Sequence, residues 1–176
     1  MVMLEWVVQA AAVQVIAMVI QDEMLLAQLD KALVEAQKKS ILDAIKKSDE
    51  AVRKSPDKAR LWFDRGVAYL DLASFPDSSF ANTDLDAAFK ALDYLSEAIN
   101  KDTQPNGKKG SIAKDAEKLF VGREKVYGAL MNMGVIKYQG KDYTASYRYM
   151  SRASEIAAQD TMSAMYTGVV AQLCQK

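Results

Sequence analysis

Hydrophobic residues recur every three to four positions along most of the chain, which is the spacing of amphipathic α-helices. One such stripe covers residues 25–36 and a second covers residues 41–52. Between them the polar residues 38–40 predict a short break, with Ser40 as the N-cap of the second helix. Pro56 ends the second stripe, because proline cannot continue a helix. We therefore expect two separate helices in this part of the chain.

The helical spacing continues after Pro56 and is interrupted by two polar loops. Residues 74–84 contain Pro76, and residues 102–110 contain an Asn-Gly pair, so both stretches predict loops. Ser111 is a suitable N-cap for a long helix. Because no strand-like alternation survives, the predicted fold class is all-α. The helices expected after Pro56 cover residues 57–72, 85–101, 111–140, 142–158 and 161–175.

Residues 1–20 differ from the rest of the chain, since Glu5 is their one charged residue. A helix that is apolar on nearly all sides is buried in protein or in lipid. Its apolar run is shorter than a standard membrane span and is interrupted by Gln9 and Gln14, and it lacks the charges and cleavage pattern of a signal peptide. We therefore divide the chain into an apolar N-terminal helix, 1–21, and a helical domain, 22–176. The first segment is expected to cover an exposed face of the second, or to lie in a membrane or partner.

The composition removes most of the groups that catalysis uses. The chain has no histidine and one cysteine, Cys174, which excludes histidine-based triads, histidine metal sites and an intramolecular disulfide. Lys and Arg together number 23, as do Asp and Glu, so the basic excess of a nucleic-acid binder is missing. We expect no enzymatic activity, no cofactor, no metal site and no nucleic-acid partner.

Small residues recur at an interval of 34 positions, which is typical of stacked helix pairs. Gly134 and Gly168 are separated by this interval, and so are Ala32 and Gly66. Trp62 precedes Gly66 by four positions and Tyr69 follows it by three, so all three lie on one side of a helix. A glycine in such a place lets a neighbouring helix approach closely. The repeat therefore predicts paired helices with a small residue at each contact.

This aromatic–glycine–aromatic pattern, with Ala44, Ala51 and Pro56 as an alanine–alanine–proline counterpart, resembles the tetratricopeptide repeat (TPR) family. Residues 114–172 are also similar to exported repeat proteins of Bacteroidota. The resemblance implies an α-solenoid of antiparallel helix pairs with about 3.5 repeats over residues 22–176. The units would cover 22–56, 57–103 and 111–160, followed by the first helix of a fourth. The structural repeat positions are Trp62, Gly66, Tyr69, Gly134 and Gly168.

In the TPR family a concave groove is lined mainly by the first helix of each pair. The matching residues here are apolar, aromatic or methionine for the most part, a surface that suits an amphipathic helix or an apolar peptide. The alternative is that these residues pack the repeats together. Phe63 and Val67 stand where some members carry a carboxylate-binding Lys and Asn, so that clamp is absent. The groove residues are Arg60, Phe63, Val67, Leu70, Met131, Asn132, Val135, Tyr138, Met162 and Met165.

The resemblance implies a non-enzymatic scaffold that binds a protein or peptide through this groove or through the C-terminal helix. The apolar stripe of that helix, which includes Val169 and Leu173, predicts either homo-oligomerisation or continuation in a longer repeat array. The alternative function is a membrane-associated assembly subunit anchored by residues 1–20. The likeness to exported proteins favours the cell envelope or periplasm over the cytoplasm.

Overall fold

The structure, a computed structural model, describes residues 2–75 and 83–174, with side chains from Glu23 onward. In these ranges the regular secondary structure is helical, and a single isolated bridge joins Thr103 and Lys109. The prediction of an all-α fold is therefore confirmed for the described residues. In chain order the helices are α1 (Val2–Lys54), α2 (Ala59–Ala73), α3 (Ala87–Lys101), α4 (Ser111–Glu117), α5 (Val126–Gln139), α6 (Tyr143–Ile156) and α7 (Thr161–Cys174).

Helix α1 is continuous from Val2 to Lys54, so the predicted break at residues 38–40 is wrong. Lysine is a good helix former, and a single serine costs a helix little, so these polar residues do not end it. Pro56 follows the true end of the helix at Lys54. The first predicted repeat unit, residues 22–56, is consequently one helix and not an antiparallel pair.

Backbone contacts divide the chain into two compact units, Met1–Ser40 and Ile41–Lys176. The first unit contains no described element other than α1, and the predicted boundary after residue 21 falls inside that helix. The second unit holds the hydrophobic core, against which Ile41 and Ile45 are packed. The core residues are Tyr69, Leu70, Leu72, Ala87, Ala88, Ala91, Leu92, Leu95, Ala116, Val126, Ala129, Leu130, Met133, Tyr149 and Ala153.

In the second unit α2 packs along α3, and the closest approach is at Gly66. A Cβ atom at this position would lie 2.6 Å from Cγ of Leu95 and 3.1 Å from its backbone nitrogen. Such distances are too short for real carbon contacts, so only glycine allows the two helices to pack as they do. Leu95 is fully buried at this contact.

Helices α5 and α6 form a second packed pair, joined by a tight turn. Lys141 has a left-handed backbone conformation with φ of 62°, and the N–H of Asp142 donates to the carbonyl of Lys137 at 3.0 Å. This is the hydrogen bond of a Schellman-type helix end. The Asp142 side chain then accepts from the N–H of Ala145 and caps α6. The turn reverses the chain, so α6 packs back on α5.

The long helix predicted from Ser111 to Gly140 is wrong, because residues 118–125 form turns between α4 and α5. Gly122 has a φ of 144°, a conformation that side chains disfavour. Its carbonyl accepts from the N–H of Gly128 at 3.2 Å, and a Cβ on Gly128 would overlap the Arg123 carbonyl. The two glycines thus let the turn fold against the first residues of α5.

Ser111 is the first residue of α4 and not its N-cap, which is Gly110. The carboxylate of Asp102 supplies the cap by accepting from the N–H of Ala113 at 2.9 Å. A Cβ on Gly110 would overlap that carboxylate. The preceding loop closes through the N–H of Gln104, which donates to the Lys108 carbonyl at 3.0 Å. An aspartate eight residues before the helix therefore performs the role that the sequence assigned to Ser111.

Candidate protein-binding surface

The four predicted groove residues of α2 differ in exposure. Arg60 is exposed, pairs with Asp64 at 2.9 Å, and places its guanidinium carbon 5.3 Å from the centre of the Phe63 ring. Phe63 and Val67 are half-buried, and Phe63 borders the core. Leu70 is only 6% exposed and belongs to the core, so it offers a ligand almost no surface. The prediction of Leu70 as a groove residue therefore does not fit its position.

The groove residues predicted on α5 lie at the edge of the core and beyond it. Met131 is half-buried and packs against the same core as Phe63, so these two residues border one common core. Asn132, Val135 and Tyr138 are exposed. The Tyr138 ring lies 5.7 Å from the ring of Tyr143, an edge-on contact that limits its freedom.

Helix α7 carries the most exposed apolar residues of the predicted groove. Met162 and Met165 are 56% and 57% exposed. Tyr166 and Val169 are also exposed and extend the same stripe, although the groove prediction left them out. The signal was available, because positions 162, 166 and 169 recur at helical spacing. The opposite side of α7 contacts α6 through buried Ser163 and Val170.

The predicted structural positions divide into packed and open sites. Gly66 contacts Leu95, and a Cβ at Gly134 would lie 2.7 Å from Cγ of Met150. Gly168 has nothing within 4 Å of such a Cβ in the described structure. Tyr69 is buried, and Trp62 is half-buried and donates from Nε1 to the Pro56 carbonyl at 2.7 Å. Two of the three glycines thus act as the repeat pattern predicts.

A polar contact connects the start of α5 with the start of α7. The Tyr127 hydroxyl donates to the Asp160 carboxylate, which also accepts from the N–H of Ser163 at 3.0 Å. These hydrogen bonds, first of all the one from Tyr127, hold the pKa of Asp160 below its usual value. Desolvation and the bond to Asp160 raise the pKa of Tyr127 to about 12. The contact fixes α7 at the end that carries Met162.

Asp71 lies one residue after Leu70, at the end of the exposed side of α2. Desolvation raises the pKa of its carboxyl above the usual value, although the side chain keeps contact with solvent. Both observations fit a carboxylate in a concave part of the surface, where protein atoms are close but water still enters. The sequence reasoning missed this residue because it considered only apolar positions and the clamp.

The acidic residues near the loop before α3 have structural partners. Asp84 pairs with Lys90 at 2.5 Å, and Asp86 pairs with Arg148 at 3.2 Å. Asp77, which the sequence places near them, lies outside the described residues. No group of three or more metal-ligating side chains occurs among the residues that the structure describes. These carboxylates therefore connect helices and need no ligand to explain them.

A second charged site is a surface depression between the last turns of α1 and helix α2. Arg65 lies there with its Nε 2.7 Å from Oδ1 of Asp49, and its guanidinium carbon is 4.0 Å from the centre of the Tyr94 ring. The Nε–H is not directed at the carboxylate, so the contact is an ion pair more than a hydrogen bond. The charges at this site compensate one another, and the depression has no excess charge aimed at a ligand.

The predictions for residues 1–20 concern side chains outside the described part of the chain, both as a cap on the repeats and as a membrane anchor. Among the residues that are described, no helix combines the length and the apolar character that crossing a membrane requires.

Comparison with known proteins leaves the chain without an assigned relative: no family model matches it, and no curated protein is significantly similar to it.

Proposed function

We propose that the chain is a non-enzymatic scaffold of TPR-like architecture that binds an amphipathic helix or an apolar peptide across α2, α5 and α7. The packed pairs α2–α3 and α5–α6, each with a glycine at the contact, support the repeat interpretation. A cell-envelope location remains part of this proposal and rests on the resemblance alone.

The observation that carries the proposal is the exposed apolar surface of α5 and α7. Residues buried for packing alone would be covered, but Val135, Met162, Met165 and Val169 are exposed in the described structure. Methionine side chains are flexible and polarisable, and they adapt to apolar partners of different shape. Their exposure favours a binding role over the alternative that these residues only pack the repeats.

The polar residues at the edge of this surface suggest how a ligand would be oriented. Asp71 and Arg60 lie at opposite ends of the exposed side of α2, and helices α5 and α7 present no acidic side chain between residues 126–139 or 161–174. A ligand helix with an apolar stripe and a basic residue near one end would place that residue beside Asp71. Apolar contact supplies most of the affinity, and the carboxylate sets direction.

The test is selection of binders from a displayed library of helical peptides, followed by fluorescence anisotropy with the enriched peptides. We expect enrichment of sequences with apolar residues at positions i, i+3, i+4 and i+7. Met162→Lys and Val135→Lys should each weaken binding at least tenfold, because a charge would be desolvated at the contact.

Val121→Lys is the matched control, because Val121 is 56% exposed, as Met162 is, but lies in the turn before α5. Binding that survives both groove substitutions, or that is lost equally with Val121→Lys, would contradict the proposed site. Failure of a well-folded chain to enrich any apolar helix would contradict the proposed function.

A further inference from the structure

Helix α1 presents a row of exposed leucines, here called the leucine patch: Leu25, Leu26, Leu29 and Leu33. Each is between 57% and 66% exposed. At the angular step of an α-helix all four fall within a sector of roughly 100°, so they form one face. A soluble surface rarely keeps so many large apolar side chains in one row.

The chain itself provides no described cover for this face. The compact unit that contains the patch, Met1–Ser40, has α1 as its sole described element. A single helix cannot bury its own apolar stripe, because its side chains point away from one another. The patch also lies outside the unit that carries the proposed binding surface. Its function is therefore separate from the proposed peptide site.

Charges at the two ends of the patch identify a partner. Asp22 and Glu23 precede the leucines, and Lys38 and Lys39 follow them. A second copy in antiparallel orientation brings the acidic end of one helix to the basic end of the other, at both ends of the pair. A parallel copy brings like charges together. We propose that the leucine patch pairs with the same patch of a second chain in antiparallel orientation.

The side-chain sizes agree with this orientation. When the two-fold axis passes near residue 31, Leu26 faces Ala36 of the second copy and Leu29 faces Leu33. Large side chains then lie against small or equal ones, which allows close packing without gaps. The interface is isologous, so it closes at two chains and does not extend into a filament. Residues 22–40 rise about 28 Å along the helix axis, which gives roughly five turns of contact.

The first experiment measures mass by size-exclusion chromatography with light scattering on the full chain without detergent. We expect a dimer for the unchanged chain and a monomer for Leu29→Glu/Leu33→Glu, because a buried, unpaired carboxylate opposes association. Met24→Glu is the matched control, since Met24 is 59% exposed on the same helix but outside the sector of the leucines. It should leave the dimer intact.

Three results would overturn the proposal. One is a monomeric unchanged chain, and another is a dimer that persists in Leu29→Glu/Leu33→Glu. The third is an aggregate that disperses only in detergent, which would assign the face to lipid. Circular dichroism on each variant confirms that the helices are retained.

A second experiment tests the orientation with cysteines in a Cys174→Ser background. Chains with Leu26→Cys and chains with Ala36→Cys, mixed and oxidised, should form mixed disulfide dimers. Leu26→Cys alone should not cross-link, because its two copies would be about 15 Å apart along the axis. Efficient cross-linking of Leu26→Cys with itself would show a parallel pair and overturn the proposed orientation.

Discussion

Two regions with the same sequence signal have different surroundings: the α2–α3 contact at Gly66 and the open side of α7 at Gly168. At Gly66 a neighbouring leucine and its backbone fill the space that a side chain would need. At Gly168 the described structure leaves the space empty. The α5–α6 contact at Gly134 lies between them, since its neighbour is the adaptable side chain of Met150. A glycine spacing therefore marks a possible contact, and the next helix decides whether the contact is made.

The strongest test of this comparison is Gly66→Ala. The added methyl would displace Leu95, whose backbone nitrogen is also close. Overpacking of this kind costs about 1–3 kcal/mol and outweighs the ~1 kcal/mol that alanine gains in helix propensity. We expect a net loss of about 2 kcal/mol in the free energy of unfolding, measured by urea denaturation. A variant as stable as the parent would show that α2 and α3 are less closely packed than described.

Gly134→Ala should be the next in effect. The methyl would meet Cγ and Cε of Met150, which has three rotatable bonds and can adopt another rotamer. We expect a net loss of about 1 kcal/mol in the same denaturation experiment. Gly134→Ala combined with Met150→Ala should recover part of the loss caused by the glycine change, relative to Met150→Ala alone. Absence of such coupling would contradict the described contact.

Gly168→Ala should change stability in the opposite direction. No atom lies within 4 Å of the added methyl, so only the helix propensity of alanine counts. The free energy of unfolding should rise by about 0.5–1 kcal/mol, observed as a higher denaturation midpoint. A decrease would mean that another chain or segment packs against this side of α7.

The smallest expected effect is a pH-dependent one at the Tyr127–Asp160 contact. The pKa of Tyr127 is raised to about 12, so its contribution to stability is present below pH 10 and decreases as the pH rises from 10 towards 12. Tyr127→Phe should therefore be less stable than the parent at pH 7, and the difference should shrink above pH 10. A difference that stays constant from pH 7 to 12 would contradict the hydrogen bond.

Much of the helical pattern could be predicted, because the packing faces of α2, α3, α6 and α7 follow regular apolar spacing and end near prolines, glycines or an aspartate cap. The errors came from tertiary contacts. Polar residues 38–40 resemble a helix start, but nothing in the fold requires a turn there, and α1 continues. Residues 118–125 retain helical spacing, yet the turn is stabilised by contacts around Gly122 and Gly128 that local sequence does not reveal.

The proposed binding surface was predictable only in part. Periodicity identified the exposed methionines of α7, and it also selected Leu70, which the second unit buries. The distinction depends on which side of α2 the other helices cover, and a single helix pattern does not contain that information. Asp71 was missed for the complementary reason, since its raised pKa arises from surrounding atoms and not from its sequence neighbours.

The position of the leucine patch on α1 has a consequence for binding strength. Because the patch and the proposed peptide surface belong to different compact units, pairing through α1 uses none of the residues that would hold a ligand. The assembly would then be bivalent. A partner that displays two copies of its motif would bind the second site at a high effective concentration, and its avidity would exceed the affinity of either site. Single peptides would bind weakly, while clustered partners would be retained.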